Sequence, residues 1–282
     1  MKTIKRLLSL LLVLSLVVAY VPLRAVQVEA ADNTTEFAGG SGTAEDPYLI
    51  PTKEHLNNVR NYLSAHFKMI NDIEFTDADF AEGGTFHNDG AGWEPIGNSQ
   101  SAFVGVFDGG NHAIQGLKII GRSADVGLFG RSSSHIKNIH LKNAYITGGD
   151  YLGGICGYVA STWKSDIVIE NCAVSDSIIV GGTHIGAICG YISGYSGKNV
   201  SIQNCHAERI SVTGNEYVGG ICGSVYYFGT KSFQNCYVDG EVTATGNYAA
   251  GICGHLADLS TGDEIDVTFK NCYNNASISS QK

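Results

Sequence analysis

The sequence predicts an all-β fold, a right-handed parallel β-helix (β-solenoid) with a short N-terminal helical cap. Three observations carry that expectation. First, "GGICGYV" around Gly154 recurs in near-copies around Ala187, Gly220 and Gly251, at steps of 33, 33 and 31 residues. Second, Asn138, Asn171, Asn204 and Asn235 each precede the next of these Gly/Ala starts by 16 residues, while the distance from a start to the following asparagine runs from 11 to 20. One half of the unit is constant and the other takes insertions, as when short strands stack in coils and one corner bulges. Third, 36 glycines and only four prolines leave a chain rich in bends, and none of the prolines lies beyond Pro95 to interrupt a strand.

The repeat extends backwards without cysteine. "GLFG" at Gly127 and "GVFD" at Gly105 bring the expected starts to six. "DIVIE", "NVSIQ" and "DVTFK" alternate polar and apolar residues, as strands with one inward face do. A helical repeat array would be damaged by so much glycine, and a β-propeller repeats at about 40 residues or more.

The ends read differently. Lys2, Lys5 and Arg6, an apolar run from Leu7 to Val21 and the small residues of "VEAAD" predict a secretory signal peptide over residues 1–31. No later stretch is apolar enough to span a membrane. Residues 32–99 read as a capping segment with the first strands. There "TKEHLNNVRNYLSA" offers Thr52 as N-cap and Leu56, Val59 and Leu63 at helical spacing, a helix suited to cover the open end of the first coil. Residues 100–282 read as the coils. Eleven residues follow Asn271, fewer than the 16 of the constant half-coil. That predicts a piece of a longer repeat protein, or self-association through the C-terminal coil.

Asn138, Asn171, Asn204, Asn235 and Asn271 are expected to form a structural ladder, since asparagine tolerates tight bends and its amide can bond the amides above and below. The eight cysteines fall in two sets. Cys156, Cys189, Cys222 and Cys253 sit in "ICG", and Cys172, Cys205, Cys236 and Cys272 follow the ladder asparagine. In the preceding coil the same positions hold Phe129 and Ile139. This predicts two inward rows that meet within each coil, where pairing Cys156–Cys172, Cys189–Cys205, Cys222–Cys236 and Cys253–Cys272 leaves none over. Export and an even count fit disulfides. Replacement of Phe and Ile fits small buried thiols, which is the preferred reading. A metal site is not expected, since there is no Cys-x2-Cys pair and no histidine at matching intervals.

"GGICGYV" followed by "IENCAV" resembles the GLUG-motif repeat of bacterial surface and secreted proteins, whose usual core is Gly-Gly-Leu-Val-Gly followed by Asn-Cys-Tyr. "GGSGTAEDPYLIPTKEHLNNVR", "INDIEF", "GWEPIG" and "FVGVFDGGNHAIQGLKI" resemble the module that often precedes such repeats. The resemblance covers residues 39–282. It implies an architecture rather than an activity, because such repeats sit in proteins of many roles, including upstream of the catalytic region in immunoglobulin A1 metallopeptidases.

The formal net charge of −9 argues against nucleic acid, which needs a basic footprint. The chain has no HExxH, no Gly-x-Ser-x-Gly and no phosphate loop, so the motifs of common hydrolases and nucleotide enzymes are missing. Asp108 and His112 of "FDGGNH" read as the bend of an early coil. Asp166, Asp239, Asp263, Glu264 and Asp266 share no rung position. No catalytic residue and no cofactor is therefore expected. The insertions carry Tyr158, Trp163, Tyr191, Tyr195, Tyr226, Tyr227 and Phe228 among serines and glycines. Stacked coils would gather them as a ligand-binding face for a glycan or a host or cell-surface protein, or as a shield over the solenoid edge. Tyr151, His184, Tyr217 and Tyr248 form another row, read as a structural stack. The expected function is a secreted or cell-surface interaction module without catalysis. The alternatives are a carbohydrate-active enzyme (polysaccharide lyase or hydrolase), marked by two or three carboxylates on one face, and a structural stalk.

Overall fold

The computed structural model describes residues 36–227, 229–257 and 266–281. The expected signal peptide, residues 1–31, and the candidate Phe228 lie outside the described residues. Alternating inward residues make short strands that pair in parallel with their equivalents one coil before and one coil after, as Ile167–Glu170 does with Ile136–Lys142 and with Val200–Gln203. The result is a β-solenoid of about five turns. Among the described residues its strands form one 20-stranded and one five-stranded sheet.

Like sits on like along the axis. Tyr48, Phe67, Phe107, Ile136, Ile169, Ile202, Phe233 and Phe269 stand in one continuous register. Ile119, Ile146, Ile179, Val212, Val242 and Ile278 form a second row. The middle members of both rows are fully buried, so each coil hides its neighbour's inward face. The 32–99 segment belongs to the same stack, because His66–Met69 pairs with Val106–Gln115. One inward row, Ile167, Val200, Lys231 and Val267, contains a buried lysine. Burial lowers its pKa to about 8, and its Nζ donates to the Gly229 carbonyl at 3.1 Å.

Each coil bends at residues in the left-handed region. One corner row is Asn138, Asn171, Asn204, Asn235 and Asn271, with φ between 51° and 58°. There Asn171 Nδ2 donates to Asn138 Oδ1 at 3.1 Å, Asn235 to Asn204 at 2.9 Å and Asn271 to Asn235 at 3.1 Å. A second row is Asn143, Asp176 and Arg209, with φ of 50°, 52° and 50°. The third is Asp125, Tyr151, His184, Tyr217 and Tyr248, with φ of 54° to 65°. Asparagine and aspartate enter this region readily, whereas a bulky aromatic residue there is an outlier.

The last glycine of each "GICG" or "AICG" explains the strictness of the repeat. A methyl group on Gly157 would lie 2.4 Å from Val126 N, on Gly190 2.4 Å from Leu152 N, and on Gly223 2.3 Å from Ile185 N. Each contacted amide follows a left-handed residue of the coil before. Backbone crosses backbone there, and no side chain fits between.

Two expectations need correction. The capping helix covers only Lys53–Asn58, followed by one 3-10 turn, Val59–Asn61. Thr52 is its N-cap and Leu56 and Val59 are buried, but Leu63 lies beyond it. Asn57 and Asn58 are weak helix formers, and the chain must turn back into the strand His66–Met69. Aromatic packing completes the cover, with Phe37 against Tyr48, Tyr62 and Phe67. The sixth start is also misplaced. Phe107 of "GVFD" registers with Ile136, and the residue that bridges Phe129 is Ile96 of "GWEPIG". Both faces of a coil place glycine shortly before an inward aromatic, so the letters alone did not separate them.

The last described coil is open. Phe269 stacks on Phe233 and Tyr273 on Tyr237, yet Phe269, Tyr273 and Ile278 are 44%, 60% and 38% exposed. Rung position should therefore set the stability cost. Ile202→Ala is expected to destabilise by about 2–5 kcal/mol and Phe269→Ala by less than about half of that. Urea unfolding of the two variants checks the order.

Candidate functional site

The third corner row carries a wall of rings. Tyr151, His184, Tyr217 and Tyr248 stack at centroid distances of 5.1, 4.8 and 5.2 Å, with planes within 20° of parallel. A second tier stands beside them on the five-stranded sheet, where Tyr158 meets Tyr191 at 4.7 Å and Tyr191 meets Tyr226 at 5.0 Å. Tyr191 is in register with Ser224, and the small serine leaves room for the ring of Tyr226. The tiers interlock edge to face, as in His184 against Tyr191 at 88°. His255 ends the wall against Tyr217 and Tyr226. The guanidinium of Arg131 opens it, 3.9 Å over the ring of Tyr158. In such stacks the faces are occupied by neighbouring rings, and edges remain for a partner.

A polar cleft of about 310 Å³ lies at the head of the wall, lined by Glu94, Asn98, Ser99, Arg122, Ser123 and Asp125 among others. Asp125 stands opposite Tyr151 in the ladder, since Ala124 pairs with Asp150 and Val126 with Leu152. Arg131 ties the two features together, holding Asp125 at 3.1 Å while lying on Tyr158. The cleft wall is pinned. Arg60 donates to the Glu94 carbonyl at 2.7 Å and stacks 5.0 Å from Trp93, and Arg122 Nε donates to the Trp93 carbonyl at 3.3 Å.

The candidate residues divide. Tyr158, Tyr191 and Tyr226 come together in the wall, with the row Tyr151, His184, Tyr217 and Tyr248 that the sequence suggested was merely structural. Trp163 and Tyr195 stand apart from the ring contacts of the wall, 66% and 51% exposed, and Trp163 lines a separate hollow with Val104 and Ser133. Tyr227 lies in the strand Cys222–Tyr227. His255, Arg131 and the cleft were not anticipated. Their signal was available in part, because Arg131, Tyr158, Tyr191 and His255 share the position two residues after the Phe/Cys of each start.

All eight cysteines are free thiols, six buried and Cys253 and Cys272 partly so. Thiol contacts join Cys189 to Cys222, Cys172 to Cys205 and Cys236 to Cys272. They run along each row from coil to coil, and Cys189 also feels Cys205 of its own coil electrostatically, with the thiols free rather than joined as disulfides. Burial pushes Cys236 up to about 12 and also raises Cys156, Cys189 and Cys222 of the "ICG" row, so these groups are inert. Among the described residues no group of three or more His, Cys, Asp or Glu could hold a metal ion. Among them, too, no helix is long and apolar enough to cross a membrane.

No family model matches the chain. Over 125 residues it is 41% identical to a protein of Evansella cellulosilytica provisionally named a Gly-rich membrane protein, covering 43% of this chain and 14% of that one. Over 146 residues it is 32% identical to halomucin of Haloquadratum walsbyi, covering 49% of this chain and 2% of halomucin. The matched stretches are thus small parts of both relatives. A crystal structure from Bacteroides ovatus, provisionally described as an immunoglobulin A1 protease, is similar with a TM-score of 0.64 over 88% of this chain and 83% of that one. At 21% identity this is a likeness of fold.

Burial pushes the His184 pKa down to about 4, and its Nδ1 shares a 2.5 Å hydrogen bond with Ser224 Oγ. The folded pKa lies below the unfolded value of 6.5. Below pH 6.5 the unfolded chain therefore takes up a proton that the folded one refuses, and stability falls until about pH 4. Burial shifts His140 and His255 in the same direction. His184→Tyr, which restores the residue of the neighbouring coils, should remove on the order of 2–3 kcal/mol from that pH dependence. Urea midpoints of both proteins at pH 7 and pH 4.5 measure it.

Proposed function

We propose that this chain is a secreted or cell-surface interaction module that binds a glycan along its aromatic corner without catalysing a reaction. The observation that carries the reading is the wall itself. Tyrosine and histidine occupy a left-handed backbone state that costs of order 1–3 kcal/mol per residue, where the other two corner rows use mostly asparagine and aspartate. One ring recurs per coil, so the surface offers the same edge contact at each step. A polysaccharide also repeats its unit along its length, which favours it over a protein partner of irregular outline. The repeats fit the GLUG type that the sequence resembles. Similar stretches occur in proteins named for a membrane and for a mucin, which supports an exported surface setting.

Glu94 and Asp125 line one cleft, the feature expected of a glycosidase. Both, however, are ion-pair partners, Glu94 of Arg60 at 3.7 Å and Asp125 of Arg131 at 3.1 Å, and no third acid is among the lining residues. This favours binding over hydrolysis, which needs one carboxyl group free to donate a proton. A bare stalk would have no need of the wall. Tyr217→Phe and Tyr248→Ala should lower polysaccharide capture about tenfold with unchanged circular dichroism, while Trp163→Ala leaves it intact. Equal capture by all four proteins, or capture of a protein but of no polysaccharide on an array, would sink the reading.

A further inference from the structure

The cleft at the head of the wall has an unbalanced charge. Arg122, Glu94 and Asp125 line it, and the two acids are already paired with arginines that do not line it, Glu94 with Arg60 and Asp125 with Arg131. Among the described residues Arg122 forms no ion pair. Glu94 is the acid that acts on it electrostatically, and Glu94 is already held by Arg60. Arg122 also has a buried nitrogen, Nη2, without a hydrogen-bond partner. A buried guanidinium nitrogen left unpaired is costly, and a native structure that keeps one calls for an explanation.

The surroundings say what would balance it. Asn98, Ser99 and Ser123 line the same cleft as Arg122 and supply amide and hydroxyl groups, which suit a ligand rich in hydroxyls. The site is preformed. Asn98 Oδ1 holds its own turn by accepting from the amides of Gln100 and Ser101 at 2.9 and 3.0 Å, and Trp93, at the base of the wall segment, is fully buried. One net positive charge matches one carboxylate. A phosphate monoester, with close to two negative charges, would overbalance it and meet Glu94 and Asp125 at close range.

We propose that this cleft binds a carboxylated sugar residue, with Arg122 as its counter-charge and Asn98, Ser99 and Ser123 as its hydroxyl partners. The proposal deepens the glycan reading of the aromatic corner and rests on it, because the cleft would seat an acidic unit of the chain whose neighbours run along the wall. A single sugar tests the cleft without the wall. We would titrate the full chain with glucuronate, glucose and acetate by two-dimensional NMR, following the amides of Gly97 to Ser99 and Arg122 to Asp125.

Glucuronate should shift these amides and bind about tenfold or more tighter than either glucose or acetate. Arg122→Gln should weaken glucuronate about tenfold, and Arg122→Lys should weaken it less. If Arg122→Gln does not fold, the Lys variant and the loss of glucuronate affinity at high salt decide the matter. Glucose binding as tightly as glucuronate, acetate alone reproducing the affinity, or Arg122→Gln leaving it unchanged would each overturn the proposal. Neutral polysaccharide capture by the Tyr217 and Tyr248 variants is a separate readout, so the cleft can fail while the wall reading stands.

Discussion

Everything in this solenoid depends on a contact between two pieces of backbone. At Gly130, Gly157, Gly190, Gly223 and Gly254 the chain crosses the coil before it so closely that a methyl group would lie 2.3–2.7 Å from main-chain atoms. The crossing locks one coil onto the next with no side chain between them. It sets the register, and the register sets the inward rows. A shift of one residue would turn Ile169 and Ile202 outward and bring Glu170 and Gln203 into the core, which is why the pairing is so strongly specified.

The same crossing accounts for the aromatic corner. The contacted peptide follows Asp125, Tyr151 or His184, and the chain reaches it by a left-handed bend at that residue. Once the bend is imposed, the corner side chain stands at one rung per coil, and large flat rings gain from stacking on each other. Stacking thus offsets part of the backbone cost. Glycine or asparagine would make the bend more cheaply. The chain instead keeps tyrosine and histidine there, half-exposed and interlocked with a second tier, and that choice points to a surface with a use.

Much of the fold was legible because a solenoid writes its geometry into its period. The steps between Cys156, Cys189, Cys222 and Cys253 reappear as ladder partners, and the asparagine rows lie where the constant 16-residue spacing put them. What failed had a physical cause. Phe107 and Phe129 both follow glycine but face the core from different strands, so local letters misassigned a coil start. The helix at Lys53–Asn58 was overextended because Leu63 keeps the helical spacing while packing from a loop. The site was half legible. Tyr158, Tyr191 and Tyr226 were picked from their insertions, but sequence proximity grouped them with Trp163 and Tyr195. Their true neighbours, Tyr151, His184 and His255, lie across a coil corner. The cleft was not legible at all, since Glu94, Asn98 and Arg122 come from the capping segment and the first full coil, where no repeat aligns them.

The most direct test of this account is Gly223→Ala. Gly223 is mid-stack, and its added methyl would meet Ile185 N at 2.3 Å and the Gly190 carbonyl at 2.5 Å. If backbone crossing holds the coils in register, the variant should lose more than about 3 kcal/mol of stability, or fail to fold. Ala187→Gly, at the neighbouring repeat position where a methyl is already accommodated, should cost only about 1 kcal/mol. A Gly223→Ala protein that unfolds at the wild-type urea concentration would contradict the account.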